Sequence, residues 1–148
     1  MCIRDSPGIL PMLHALKAAG LRLGVVSNKE NTLSQEVTAH YFPGIFDAVA
    51  GHVLGTPAKP DPALVNSLIA QFGVRAGQVL YAGDSNVDIQ TAHNAHVDGC
   101  GVLWGFRTEE ELRAAGADYL VHTPQQLADL ALGQAGPLRL SDAQGVVE

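Results

Sequence analysis

Apolar residues recur in two patterns that alternate along the chain. In residues 7–19 they fall every three or four positions and place Ile9 and Leu13 on one helical face. Residues 21–26 form a short, mostly apolar run, which is typical of a strand buried on both faces. Gly20 lies between the two segments, where a helix commonly ends. The alternation predicts parallel strands joined by right-handed helical crossovers.

The remaining segments continue this alternation. Asp61 is a plausible N-cap for one helix, with Pro62 at its first position. The complete order predicts an α/β fold with a three-layer, Rossmann-like arrangement, in which helices cover both faces of a parallel sheet. The predicted helices are 7–19, 30–41, 62–72, 89–95, 109–115 and 124–132, and the predicted strands are 21–26, 46–50, 79–82, 101–103 and 118–121.

One domain accounts for the chain, since 148 residues suffice for one hydrophobic core and show no internal repeat. We expect residues 7–132 to form this core domain. Residues 1–6 are expected to be a non-native start, because they lack periodicity and resemble a translated adapter sequence. Residues 133–148 are expected to be a loosely ordered tail.

Composition narrows the function. A net charge of −6 and a pI near 5.4, with no basic run, argue against a nucleic-acid binder. The same acidic charge suits a cytoplasmic protein. No apolar run approaches the ~20 residues of a membrane helix, so we expect no membrane partner. His93 and His96 lie near Cys100, but zinc would need a fourth ligand and a better spacing.

Polar residues follow three of the predicted strands. Ser27 and Asn28 follow the first strand, Lys59 lies in the loop after the second, and Asp84 and Asp88 follow the third. Parallel strands bring their carboxyl ends to one edge, so these side chains are expected to meet there. A hydroxyl with backbone N–H groups can bind phosphoryl oxygens, a lysine can neutralise them, and two carboxylates suit Mg²⁺.

The same segments resemble a known family. Residues 25–29 (Val-Val-Ser-Asn-Lys), 59–62 (Lys-Pro-Asp-Pro) and 83–88 (Gly-Asp-Ser-Asn-Val-Asp) are similar, in order and spacing, to the second, third and fourth motifs of the haloacid dehalogenase-like phosphatase superfamily. The phosphoglycolate phosphatase-like branch is the most similar. The resemblance implies Mg²⁺-dependent hydrolysis of a small phosphorylated metabolite through an aspartyl-phosphate.

The resemblance also assigns roles to individual residues. It implies that Ser27 and Lys59 are catalytic and that Ser27, Asn28 and Lys59 bind the substrate. It implies that Asp84 ligates Mg²⁺ and that Asp88 binds or orients the metal shell.

The family's first motif, Asp-x-Asp at the end of a central strand, and the cap that follows it have no counterpart here. Asp5 is the only acid before Ser27. We therefore expect an N-terminally truncated fragment that lacks the nucleophilic aspartate. In the family the first strand lies between the strands that carry Ser27 and Asp84. We expect a gap or a rearranged pairing there, weak stability and no activity of the chain alone.

Three other functions fit parts of the pattern. A sugar-phosphate mutase of the same superfamily would share these motifs. A non-catalytic phosphate- or metal-binding relative is the better explanation if no Asp-x-Asp strand belongs upstream. A phospho-acceptor module is disfavoured, because receiver domains place their acids before the lysine and this chain places them after it.

Overall fold

The computed structural model describes residues 8–105 and 107–133. The predictions for residues 1–6, for Pro7 and for the tail beyond residue 133 lie outside these ranges. The helices are α1 (Ile9–Ala18), α2 (Asn31–Tyr41), α3 (Ala63–Phe72), α4 (Asn86–Asn94), α5 (Glu109–Ala114) and α6 (Pro124–Ala131), and the strands are β1 (Gly24–Glu30), β2 (Ala48–His52), β3 (Leu80–Gly83), β4 (Asp98–Val102) and β5 (Tyr119–Val121).

Most predicted elements are confirmed, although several bounds differ, including those of β2, which is Ala48–His52 rather than residues 46–50. Three of the differences have local reasons. β1 continues to Glu30, because Glu30 still pairs with His52 of β2. β4 begins at Asp98, which pairs with Leu80. α4 begins at Asn86 rather than residue 89, because the Ser85 hydroxyl caps it by accepting the N–H of residue 88.

The fold has three layers, which the side chains of β4 show most clearly. Cys100 and Val102 belong to the hydrophobic cluster built with α1 and α6. Gly99 and Gly101 face the opposite way, toward residues of α4 and α5. Alternate residues of a strand point to opposite faces, so helices cover both sides of β4, as the sequence predicts.

The strands form two separate parallel sheets. One has the order β1-β2 and the other the order β3-β4-β5. Within the described residues no strand pairs with the second edge of β1 or of β3. The expected gap in the sheet is therefore present, and the N–H and C=O groups on both of these edges have no ladder partner.

Helices nevertheless hold the two sheets together. α1 packs in one cluster that includes Leu23, before β1, and Leu80 of β3. On the opposite face, Val65 of α3 belongs to a cluster that includes Val26 of β1 and Tyr81 of β3. No residue of β1 or β3 reaches the burial of β4, in which residues 99–102 are all buried. The core is therefore densest around β4 and thinnest beside the gap.

No helix within residues 8–105 and 107–133 has both the length and the apolar character needed to cross a membrane.

We expect the gap to be visible in amide hydrogen exchange. The N–H groups of β1 and β3 that point to the unpaired edges should exchange faster than those of β4, which is paired on both sides. Exchange measured by NMR on the 148-residue chain checks this. Uniform protection across β1, β3 and β4 would contradict a gap.

Candidate functional site

Ser27 and Asn28 lie where β1 departs from regular pairing. The register between β1 and β2 shifts between Val26 and Glu30, as in a β-bulge, which can turn side chains toward a site. The Ser27 hydroxyl accepts the N–H of Lys29 at 3.1 Å. Ser27 is half-buried and Asn28 is exposed. The prediction that these residues follow the strand is therefore wrong: Ser27 and Asn28 lie within β1, which continues to Glu30, and the register shift presents their hydroxyl and amide there.

Asn28 holds the loop that carries Lys59. Its Oδ1 accepts the Lys59 backbone N–H at 2.8 Å, and its Nδ2 donates to the Lys59 carbonyl at 3.4 Å. Both polar ends of the Asn28 side chain are thus engaged by the backbone of one residue. This contact positions Lys59, and a role of Asn28 in binding substrate stays a prediction.

Lys59 and Asp88 form an ion pair that joins the two sheets. The Lys59 ammonium donates to Asp88 Oδ1 at 2.7 Å, and the two side chains are only 14% and 10% exposed. Lys59 follows β2, whereas Asp88 follows β3 and lies in the first turn of α4. Close by, Asn94 of α4 donates to the Pro60 carbonyl at 2.8 Å, so a second hydrogen bond links the same two segments.

Two further hydroxyls contact the Asp88 carboxylate. Tyr81 donates to Oδ1 at 3.4 Å, and Ser85 donates to Oδ2 at 3.1 Å. Burial, and then the charge of Asp88, raise the pKa of Tyr81, so its hydroxyl stays a neutral donor. The sequence analysis does not predict either contact. The Ser-x-x-Asp spacing of residues 85–88 is a capping pattern that could have indicated Ser85, whereas nothing in the sequence singles out Tyr81.

Gly83 makes room for Asp88. A Cβ built at Gly83 would lie closer to Asp88 Cβ, Cγ and Oδ2 than the 3.0 Å that real Cβ atoms essentially never cross. A side chain at position 83 would therefore displace the Asp88 carboxylate. The Gly-Asp pair of the fourth motif thus has a packing reason in this structure.

Asp84 differs from Asp88 in its lack of polar partners. Its side chain is half-buried, and within the described residues it makes no hydrogen bond and no ion pair. A partly desolvated, unpaired carboxylate of this kind is suited to a cation. Mg²⁺ commonly takes one or two carboxylates and completes its shell with waters and phosphate oxygens.

The carboxylates present fit Mg²⁺ that is partly coordinated by waters and phosphate oxygens better than a metal ion coordinated by protein side chains alone. No group of three or more His, Cys, Asp or Glu residues able to hold a metal occurs in the described part of the chain. Both oxygens of Asp88 already accept hydrogen bonds, so Asp88 fits the outer shell more readily than direct ligation. The roles of Asp84 and Asp88 at a metal stay predictions.

Two other polar residues singled out in the sequence, His93 and Asp61, have partners elsewhere. His93 Nε2 lies 3.1 Å from Asp118 Oδ2, and Asp61 accepts the N–H of Ala63 at the start of α3. Arg107 lines an open groove of about 410 Å³ together with Asn86 and residues of α5. This groove adjoins the start of α4 and contains none of the predicted site residues.

Fold and site together define a Rossmann-like α/β protein with a polar site at the carboxyl edge of its parallel strands. Segments that are distant in sequence, at residues 27–28, 59 and 84–88, contribute its hydroxyl, ammonium and carboxylates. Direct contacts join Asn28 to Lys59 and Lys59 to Asp88, whereas the roles predicted for Ser27 and Asp84 stay predictions.

Comparison with known proteins gives the family. The sequence profile of the haloacid dehalogenase-like hydrolases matches residues 2–102. The chain belongs to this family.

Individual relatives point in the same direction. The phosphoglycolate phosphatase of Caulobacter vibrioides is 37% identical over 118 residues, which cover 79% of this chain and 49% of that protein. The phosphoglycolate phosphatase of Rhodospirillum rubrum is 34% identical over 145 residues, 96% of this chain and 59% of that protein. The chain therefore spans about half the length of these curated relatives.

A solved structure resembles the fold closely. A candidate phosphoglycolate phosphatase from Lactobacillus delbrueckii subsp. bulgaricus superposes with a TM-score of 0.83 and 39% identity, over 86% of this chain and 54% of that one. The three-layer architecture inferred from the alternation of strands and helices is thus shared with a member of the phosphoglycolate phosphatase-like branch.

The ion pair should contribute much more to stability than a surface pair. Replacing Lys59→Met leaves Asp88 buried without its counter-charge and should lower the free energy of unfolding by about 3 kcal/mol. Lys17→Met is the matched control, because Lys17 pairs with Asp47 while both are well exposed, at 42% and 37%, and should cost less than about 1 kcal/mol. Urea denaturation measures both changes.

A double-mutant cycle isolates the contact. In an Asp88→Asn background no buried charge is left behind, so Lys59→Met should cost less than it does in the original chain. An equal cost in both backgrounds would show that the pair does not stabilise the fold.

Proposed function

We propose that this chain forms the phosphate- and Mg²⁺-binding part of a phosphatase that acts on small phosphate monoesters such as 2-phosphoglycolate. The observation that supports it most is the chain of contacts from Asn28 to the backbone of Lys59 and from the Lys59 ammonium to Asp88. Family membership and the relatives named as phosphoglycolate phosphatases support the reaction class.

The proposal assigns phosphate binding, loop positioning or metal binding to each residue of the site. The Ser27 hydroxyl and N–H groups of the β1 bulge bind phosphoryl oxygens, and Asn28 fixes the loop from which Lys59 reaches the site. The Lys59 ammonium neutralises negative charge on the phosphate while it remains beside Asp88. Asp84 holds Mg²⁺, and Asp88 orients its shell. Bound Mg²⁺ supplies positive charge that stabilises the phosphate during transfer.

The proposed reaction needs a group that this chain is not expected to supply by itself. Attack on phosphorus requires a nucleophile, and an aspartate is the nucleophile implied by the family resemblance. Asp5 is the only acid before Ser27 and lies in no Asp-x-Asp motif. We therefore propose that the isolated chain binds Mg²⁺ and phosphate but does not turn over substrate. A cytoplasmic location is proposed from the acidic, cysteine-poor composition.

A chimera tests this function. The part of the Caulobacter vibrioides phosphoglycolate phosphatase that precedes its match to this chain is joined upstream of Pro7. We expect Mg²⁺-dependent release of phosphate from 2-phosphoglycolate by the chimera and none by the 148-residue chain. Sugar phosphates and pyrophosphate in the same assay show how narrow the substrate range is.

Variants of the chimera identify the residues responsible. Asp84→Asn should lower kcat/KM by at least about 100-fold, because the metal loses its carboxylate ligand. Asp129→Asn is the control, since Asp129 lies in α6 and accepts a hydrogen bond from Gln125, and it should leave the rate unchanged. A chimera that carries Asp84→Asn, folds and keeps its full activity would refute the metal role.

A further inference from the structure

Gly105, three residues after the end of β4, lies directly against Asp84. A Cβ built at Gly105 would overlap Asp84 Cβ and Oδ2 and would lie 2.8 Å from Asp84 Cγ. All three contacts are closer than the 3.0 Å limit that real Cβ atoms observe. The Asp84 carboxylate therefore occupies the space that any side chain at position 105 would need.

The contact with Asp84 gives a steric reason for glycine at this position, and a positive φ does not. Several glycines of the chain have a positive φ that disfavours other residues, but Gly105 is not among them. A positive φ is therefore not the reason for glycine here. The three atoms nearest to the built Cβ all belong to Asp84.

Packing does more to fix the carboxylate of Asp84 than that of Asp88. Lys59, Tyr81 and Ser85 fix the Asp88 carboxylate by hydrogen bonds. Asp84 has no such bonds within the described residues, so the close approach of the chain at Gly105 limits where its carboxylate can lie.

We propose that Gly105 is a positioning residue, whose missing side chain lets Asp84 take the orientation in which it receives the metal. The metal part of this inference rests on the proposed function. Position 105 lies outside the three motif-like segments and within no helix or strand, which is why the sequence does not single it out.

The contact itself is tested without any metal. Gly105→Ala is made in the original chain and in an Asp84→Gly background, and the urea midpoint of all four proteins is measured. We expect Gly105→Ala to lower the midpoint when Asp84 is present and to have little effect when position 84 has no Cβ. Equal losses in both backgrounds would overturn the proposal. If Gly105→Ala alone fails to fold, the double variant should fold, and a double variant that also fails would overturn it equally.

The consequence for the metal is tested by Mg²⁺ titration of the 148-residue chain. Trp104 is the single tryptophan and directly precedes Gly105, so its fluorescence reports on this loop, and calorimetry provides an independent dissociation constant. Gly105→Ala should weaken Mg²⁺ binding by about tenfold or more, the scale typical of residues that orient metal ligands. Gly77→Ala is the matched control, because nothing lies within 4 Å of a Cβ there, and it should leave the dissociation constant unchanged.

The outcomes separate the two proposals. A folded Gly105→Ala variant with the original Mg²⁺ affinity would overturn the positioning role. A chain that shows no response to Mg²⁺ by either readout would contradict the proposed function instead, while the double-mutant cycle still decides whether Gly105 sets the position of Asp84.

Discussion

The nearly buried ion pair between Lys59 and Asp88 is the interaction on which the site depends. It connects a loop that follows the β1-β2 sheet to the helix that follows β3 of the other sheet. Breaking such a pair leaves an isolated charge in a poorly solvated place, which is costly. The pair therefore ties together two sheets that have no direct ladder between them. It also holds the Lys59 ammonium at this edge, beside a carboxylate that both tyrosine and serine hydroxyls support.

The gap between the two sheets does not keep the polar residues that follow them apart. The helices α1 and α3 bridge the two sheets from opposite faces, so Asn28, Lys59 and Asp88 come together without a strand between β1 and β3. Because no described strand lies between them, β1 and β3 are less buried than β4, although all three carry apolar residues. The match to this chain covers 49% of the length of one curated relative.

The sequence predicts the fold class. It also predicts that Ser27, Lys59 and Asp84 lie at one edge of the sheet, because apolar periodicity and parallel connections determine where strands end. It does not reveal that Asn28 binds the backbone of Lys59, since that contact joins residues 31 positions apart in the chain. The contact of Tyr81 with Asp88 and the close approach of Gly105 to Asp84 are likewise products of three-dimensional packing. The sequence does not predict the pairing of Lys59 with Asp88 either, because the motifs assign one residue to the phosphate and the other to the metal.

The central claim is that Lys59 and the acidic turn act on one phosphate together with one Mg²⁺. Linkage requires two ligands that share a site to change each other's affinity. Calorimetric titration of inorganic phosphate into the 148-residue chain, with and without saturating Mg²⁺, measures this directly. We predict that Mg²⁺ strengthens phosphate binding and that the strengthening disappears in Asp84→Asn. The same phosphate affinity with and without Mg²⁺ would contradict the account.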